Sequence, residues 1–562
     1  LCDATPAAGL AEIPDRRMMT MLQATPFTLN RHHTMKLVQD RTAVCQLLLL
    51  GCFLLQSPVI AEDRLAAAEK SQRRLTIHLA DADTGAPLSG IVRITRQDNG
   101  KQVRPPELIP RQNGWQTTQA VAEITVPAGK LRIEALRGLQ TELSVTDVDT
   151  TEDVKHQVTL KLRRFYDAKQ RGWRNANTHL HLMDRSRIDA ERYLHEVPEA
   201  DGLELVYLSH LRRIPDETKY ISNEIVEQQL SDNILERITH RDVILRPGEE
   251  HRHNFGRGGE GFGHVMLLDI AKLIRPVSIG PGIMRSGTDG IPLKAGIQEA
   301  RNDGATIVWC HNNFGFEDIP NWVGGRLDAQ NIFDGGSRGN YEESFYRYLN
   351  LGMRIPFSTG TDWFIEDFSR VYVPLNETLT SEAWLKQLAS GRSFITNGPL
   401  LELTVDDHPI GDTLQLSQSR ELKVTARAVG RSDFQSLEIV RNGVVIDSVA
   451  AKSVNGHFEA TWDSRVLIDE PSWLAARTPV AGPKNEFDRP INAHTSPVYV
   501  DLEGQRPFHP EVALELIGEI EESLQKIRVQ AVFANDSELE RVMQVYRDGI
   551  QTLKQRIAER AD

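Results

Sequence analysis

Along the middle of the chain, six short apolar runs begin or end in polar residues able to do chemistry. They are Ala176–Leu182, Leu203–His210, Asp242–Glu250, His264–Ile270, Ala305–His311 and Arg354–Asp362. Each has strand length and strand composition. Between them lie stretches with helical spacing: Asp189–His195, Ser222–Ile238, Leu293–Asp303, Tyr341–Leu351 and Ser381–Ser390. This alternation predicts an α/β part over residues 172–398 with six or seven strand–helix units. A distorted barrel accommodates that count better than a doubly wound open sheet. Residues at the carboxyl ends of such strands converge on one face.

The flanks are patterned differently. Residues 75–165 carry short alternating runs (Leu75–Leu79, Gly90–Thr95, Ala122–Val126, Lys130–Ala135, Gln157–Leu162) broken by Gly-containing turns, and read as an N-terminal β-sandwich. No catalytic cluster falls there. Residues 399–505 return to strand patterning, with Arg441-Asn442-Gly443 as a hairpin signal, and read as a second, immunoglobulin-like sandwich. From 511 to 562 two apolar stripes follow, Ile517, Ile520, Leu524, Ile527 and then Leu539, Tyr546, Ile550, Leu553, Ile557. Ser537 and Glu540 have capping-box spacing between them. They predict a helical hairpin packed on the body.

Composition narrows the class. The 562 residues carry a net charge of -13, and no long basic run occurs, which excludes a nucleic-acid-binding surface. Residues 1–34 lack periodicity and read as disorder or an over-extended reading frame. Residues 35–61 read as a signal peptide, with Lys36 and Arg41, an apolar core from Ala43 to Leu55, and Val59-Ile60-Ala61 as the cleavage site. The expected location is periplasmic or extracellular, without an integral membrane span after cleavage. A lipoprotein anchored at Cys52 fits less well, because Leu50 suits that signal poorly. After cleavage one cysteine would remain, Cys310, in an apolar strand where it reads as a small buried hydrophobe.

The chemistry lies in the strand ends. His179 and His181 are two apart, so on a strand they point to one side. Glu250, His264, His311 and Asp362 follow in order. Imidazole and carboxylate ligands in such a set suit a divalent ion such as Zn, Mn or Fe. Glu249 is the alternative to Glu250. His251 and His253 read as facing solvent or substrate, and His195 and His240 as surface residues. Gly256 to Gly261 spells Gly-x-Gly-x-x-Gly but opens no helix, so it reads as a flexible loop. Arg212, Arg252 and Arg257 are candidates for an anionic substrate, and Asn312 for orienting substrate or capping its turn.

The order His179-x-His181, Ser209-His210, Gly248-x-Glu250, Gly263-His264, strand-His311 and Gly360-Thr361-Asp362 resembles the PHP (polymerase and histidinol phosphatase) superfamily. Within it the chain is most similar to the CehA/McbA-type metallohydrolase branch, with Gly172-Trp173 before His179 and the segment Ser393 to Pro399 later on. The resemblance implies a distorted (β/α)7-type PHP barrel holding two or three metal ions. His179, His181, Glu250 and Asp362 would hold one ion. Glu250 would bridge to a second, held also by His264 and His311, with a bridging hydroxide attacking the substrate. A third position is altered, because Phe364 stands where the family has a ligand histidine. His210 and Asp184 are the residues left to serve there in catalysis.

The implied function is an exported metal-dependent hydrolase, a phosphoesterase acting on a small molecule or a carbohydrate-linked ester. Two alternatives stay open: a carboxylester or carbamate hydrolase on the same site, and a non-catalytic carbohydrate- or protein-binding protein built on a degenerate PHP barrel.

Overall fold

The computed structural model describes residues 72–562, apart from 153, 214–218, 241, 256–260, 338, 481 and 562. The signal-peptide segment 35–61 and Arg257 therefore lie outside the described residues. The fold is rich in sheet, with several sheets and a smaller share of helix.

Near the N-terminus a three-stranded sheet built on Gln72–Asp81 faces a larger sheet that includes Gly90–Arg96, Trp115–Thr118 and Lys130–Leu136. Leu75, Ile77, Ile94, Ile133 and Leu160 close the core between them. The alternation that buries these residues leaves Arg74, Arg132 and Lys161 outside.

The central sheet starts with β1 (Trp173–His181), β2 (Leu205–Leu211), β3 (Ile244–Asn254), β4 (Gly261–Leu268), β5 (Thr306–Cys310), β6 (Ala329–Asn331), β7 (Phe357–Ser358) and β8 (Asp362–Trp363). β1, β2 and β3 pair in parallel. β4 runs antiparallel to both β3 and β5. β5, β6 and β7 are again parallel, and β8 pairs in parallel with β1, so the pairing returns to its first strand. The regular strand–helix repeat expected from the sequence breaks between β3 and β4. Residues 255–260 join them, and so short a link allows an antiparallel return but no helical crossover.

Helices cover the sheet where the apolar spacing puts them. α1 (Arg187–Ala200) is capped by Ser186, whose side chain accepts from the Asp189 amide. α2 (Ile221–Asp232) stops at Asn233, in the left-handed region at φ 49°, which splits the expected single helix over 222–238. α3 (Leu293–Asn302) lies between β4 and β5.

The sheet then continues. Arg370–Pro374 pairs antiparallel with β1, then with Phe394–Thr396, which pairs with Ala493–Thr495. That last pairing makes the C-terminal sandwich part of the same sheet. The sandwich's second layer holds Leu400–Val405, Arg420–Gly430 and the twelve-residue His457–Ile468. Its Asn442-Gly443 turn has φ of 50° and 90°, the conformation a two-residue hairpin demands.

At the C-terminus, α4 (Pro510–Gln530) and α5 (Asp536–Ala561) form a hairpin. Leu516, Ile520, Val542 and Tyr546 join the largest core, together with Met266, Trp309 and Trp322 of the central body. Each such buried side chain contributes on the order of 1.5–3 kcal/mol. The capping box sits two residues earlier than Ser537 and Glu540 would place it. Asn535 Oδ1 accepts from the Glu538 amide at 3.1 Å, and Glu538 Oε2 accepts from the Ala534 amide at 2.8 Å. Among the described residues, no helix is long and apolar enough to cross a membrane.

Candidate metal centre

Strand geometry selects which side chains meet. On β1, His179 and His181 share a face. On β3, Glu250 and Arg252 share a face, while Glu249, His251 and His253 take the other. Arg252 is directly opposite His264 on β4, and His264 is opposite Cys310 on β5. These residues therefore look into one space, and Asp362 enters it where β8 lies against β1.

Two sets of ligand atoms converge there. One is His179, His181, Glu250 and Asp362; the other is Glu250, His264, Cys310 and His311. Glu250 belongs to both, with Oε2 3.0 Å from His181 Nε2 and Oε1 3.8 Å from His264 Nε2. His179 Nε2 lies 3.0 Å from His181 Nε2 and 3.4 Å from Asp362 Oδ1. His311 Nε2 lies 3.9 Å from Asp362 Oδ2.

The backs of the rings are tied down. Asp334 takes His179 Nδ1 on one oxygen at 2.8 Å and His311 Nδ1 on the other at 2.7 Å. His181 Nδ1 donates to the Ser209 carbonyl at 3.0 Å. Outward bonds of this kind fix the tautomer and leave each Nε2 lone pair facing inward, as metal-ligating histidines require. Asp334 itself accepts from Asn331 Nδ2 at 3.0 Å. Sequence reasoning missed Asp334, because Asp334-Gly335-Gly336 after a three-residue strand reads only as a turn.

Several atoms of the centre are buried without a hydrogen bond: Glu250 Oε1, which has the Arg252 guanidinium at 3.4 Å, Asp362 Oδ1 and His264 Nε2. Buried polar atoms left without partners are costly unless a further group satisfies them. Here the orphaned atoms are oxygen and imidazole nitrogen from opposite walls, a donor set that fits a divalent cation.

The electrostatics agree. Burial opposes a charge on His179, but Asp362, Asp334 and Glu250 outweigh it and raise the ring to about 10. Burial, then Arg252 and His311, push His264 well below the usual imidazole range. Burial would raise Glu250, yet Arg252, His179, His181 and His264 hold it well below the carboxylate range. The centre thus holds anionic carboxylates whose balancing protons a metal ion would displace.

Other expected residues fall elsewhere. His210 lies opposite Glu249 in the β2–β3 pairing, so it takes the face that Glu250 does not, and its Nε2 meets Glu227 at 3.2 Å. Asp184 is exposed, in a left-handed turn after β1. Neither joins a converging set among the described residues. Phe364 packs its ring against Tyr193 and under the Arg185 guanidinium, 4.9 Å away.

His251 and His253 do not face solvent. Both are buried, His251 on Glu249 at 2.9 Å and His253 near Asp289 at 3.3 Å. Glu249 takes the Ile274 amide with its second oxygen, which commits it to this structural pair rather than to the centre. His195 is exposed and His240 half-buried, each ring near the other.

Asn312, expected near substrate or capping its turn, is fully buried and used internally. Its Oδ1 accepts from the Phe333 amide at 3.0 Å and its Nδ2 donates to Ser337 at 3.0 Å, bracing the loop that carries Asp334. Arg212 is exposed, whereas Arg252 reaches into the centre, 3.4 Å from Glu250 Oε1. Cys310 joins the second set rather than merely filling the core, but burial and the charges of Glu250, Asp334 and Asp362 push its thiol well above its usual range. A thiol kept protonated is a poor ligand and nucleophile.

No family model matches the chain, and no curated protein matches it. Two solved structures are similar to part of it. A Bacillus anthracis TIE protein is 16% identical over 21% of this chain and 20% of its own, with a TM-score of 0.14. A streptococcal ancillary pilin is 16% identical over 21% of this chain and 37% of its own, with a TM-score of 0.15. The chain thus spans only a fifth to under two fifths of those structures' length, and likenesses this slight carry no argument.

Proposed function

We propose that this chain is an exported metal-dependent hydrolase of the PHP type, acting as a phosphoesterase. The observation that carries the reading is the inward Nε2 presentation of His179, His181 and His311, each fixed from behind, around the shared carboxylate of Glu250. His179, His181, Glu250 and Asp362 would hold one divalent ion, and Glu250, His264 and His311 a second. Bound there, such ions supply Lewis-acid charge and activate water for attack. The return of the strand pairing to β1 supports the distorted barrel that this family implies. Export rests on the pattern of residues 35–61.

The protein's own groups have distinct tasks. Glu250 joins the two ligand sets, and Asp334 holds two rings in register. Arg252, beside Glu250, is placed to steady an anionic oxygen of the substrate, which favours a phosphoester over a neutral ester. No side-chain nucleophile is required, and Cys310 is left out of the chemistry. The binding-protein alternative draws on one observation, that Phe364 turns away to Tyr193 and leaves the third position without a ligand.

The test is metal analysis of purified protein coupled to a panel of phosphoester and carboxylester substrates. The reading expects about two ions per chain and turnover of phosphoesters that a chelator abolishes. Bound metal with no turnover of any ester would favour the binding protein, and preferred carboxylester turnover would move the bond cleaved.

A further inference from the structure

A cavity of about 380 Å³ borders the Asp362 end of the centre. Arg111 and Gln112 of the N-terminal sandwich line it, with Thr361 and Trp363 on either side of Asp362, and Arg489 from the C-terminal sandwich. Three parts of the chain therefore meet at one opening.

Most charged groups there are already engaged. Arg111 makes two bonds to Asp201, at 3.1 and 3.0 Å, with both side chains fully buried. Glu366 accepts from the Gln112 amide at 3.2 Å. Asp367 is turned to the Ser369 amide at 2.7 Å. Arg489 is different. Its guanidinium makes no hydrogen bond and no salt bridge among the described residues, although its charge is felt by the buried Asp367; its Nε, like that of Arg111, is buried without a partner. A guanidinium that lines a cavity and makes no hydrogen bond within the protein keeps its terminal donors for something else.

The neighbouring loop is shaped to admit it. Gly335 and Gly336 have φ of 62° and 72°, a conformation that side chains resist. A Cβ on Gly335 would lie 2.8 Å from Asp362 Cβ, and one on Gly336 would lie 2.7 Å from Arg489 Nη1. Two adjacent glycines thus seat a carboxylate of the candidate centre on one and the Arg489 guanidinium on the next. The same loop carries Asp334.

We propose that Arg489 is the anion-binding residue of this cavity, taking phosphoryl oxygens of a ligand that reaches the metal centre. The guanidinium fork suits a phosphoryl group, which it can meet through two parallel bonds. Only in calling that ligand the substrate does this rest on the hydrolase reading. It assigns the C-terminal sandwich a part in choosing what enters.

The test uses the full metal-loaded chain, with inorganic phosphate as the probe, titrated by calorimetry at fixed ionic strength. Arg489→Ala should weaken phosphate binding by about 10- to 100-fold, the scale of a charge-assisted bond pair. Arg489→Lys should recover only part of it, because a point charge cannot supply the fork, and metal content should not change in either variant. For an accepted phosphoester, KM should rise with little change in kcat, while a neutral ester's KM should stay put. Equal phosphate affinity in wild type and both variants would overturn this proposal and leave the hydrolase reading standing. Loss of phosphate binding in a chain that takes up no metal would overturn the hydrolase reading and keep this one.

Discussion

Asp334 holds His179 Nδ1 at 2.8 Å while its other oxygen holds His311, so one carboxylate behind the centre orients a ring from each ligand set. Removing it should free both imidazoles at once. Asp334→Asn keeps the shape but cannot accept two N–H bonds with equal strength. We expect metal affinity to fall about 10- to 100-fold, read by competition against a chromophoric chelator, with the circular dichroism spectrum unchanged. Unaltered affinity would remove Asp334 from the centre.

Glu250 belongs to both ligand sets, whereas His179 belongs to only one of the pair that share it. Glu250→Gln should therefore lower the occupancy of both ions, and His179→Ala mainly of one. Mass spectrometry under native conditions counts them directly. Two variants with full, wild-type metal content would show that the ligands lie elsewhere.

His210 faces Glu227 and the side of Glu249 rather than Glu250. His210→Gln should keep its metal and change kcat/KM by less than about tenfold. A loss near 10²-fold, the scale of one acid–base group, would return His210 to the reaction.

His494 sets a pH dependence of stability. It is fully buried, with Nε2 2.7 Å from the Tyr346 hydroxyl and Nδ1 donating to the Thr495 carbonyl at 2.7 Å. Burial, with the nearby Arg477 charge, lowers its pKa from 6.5 to about 3. Above pH 6.5 the ring is neutral folded or unfolded, and its full contribution is present. As pH falls below 6.5 the unfolded chain takes a proton that the folded chain refuses. Stability should decline towards pH 3 by up to ~4 kcal/mol from this group. His494→Gln should flatten the slope of unfolding free energy against pH between 6.5 and 4.5. An identical slope in the variant would assign the acid sensitivity to other groups.

Much of this centre was readable from spacing. The two-residue step from His179 to His181 puts both rings on one face of any strand. The apolar run ending in Cys310-His311 places those groups at a strand end whatever the connections, whereas Glu250 falls inside β3, which runs on to Asn254. Direction was harder. Nothing in the runs themselves says that β4 is antiparallel; that follows from the length of the link before it. Adjacent Glu249 and Glu250 look alike in sequence, and only the register against β2 and β4 sends one into the centre and the other to His251 and Ile274. His210 misled for the same reason, since a histidine at a strand end can take either face. Asp334 and Arg489 were invisible, because Asp334 acts by joining His311 to the distant His179, and Arg489 lies against Gly336, far from it in the chain. The long strand His457–Ile468 also went unseen, its inward row of Ala460, Trp462, Val466 and Ile468 interrupted by the exposed Ser464.

The pairing of Phe394–Thr396 with Ala493–Thr495 has a practical consequence. A fragment cut at residue 398 would expose a bare strand edge and lose Trp473, whose indole donates to Asn350 at 2.8 Å. Open edges of this kind recruit other chains. Residues 172–398 expressed alone should collect in the insoluble fraction, while a chain running from 72 to 562 should stay in solution. The part that carries the candidate metal centre and its C-terminal neighbour are thus not interchangeable modules: in any recombined protein they would have to be inherited together.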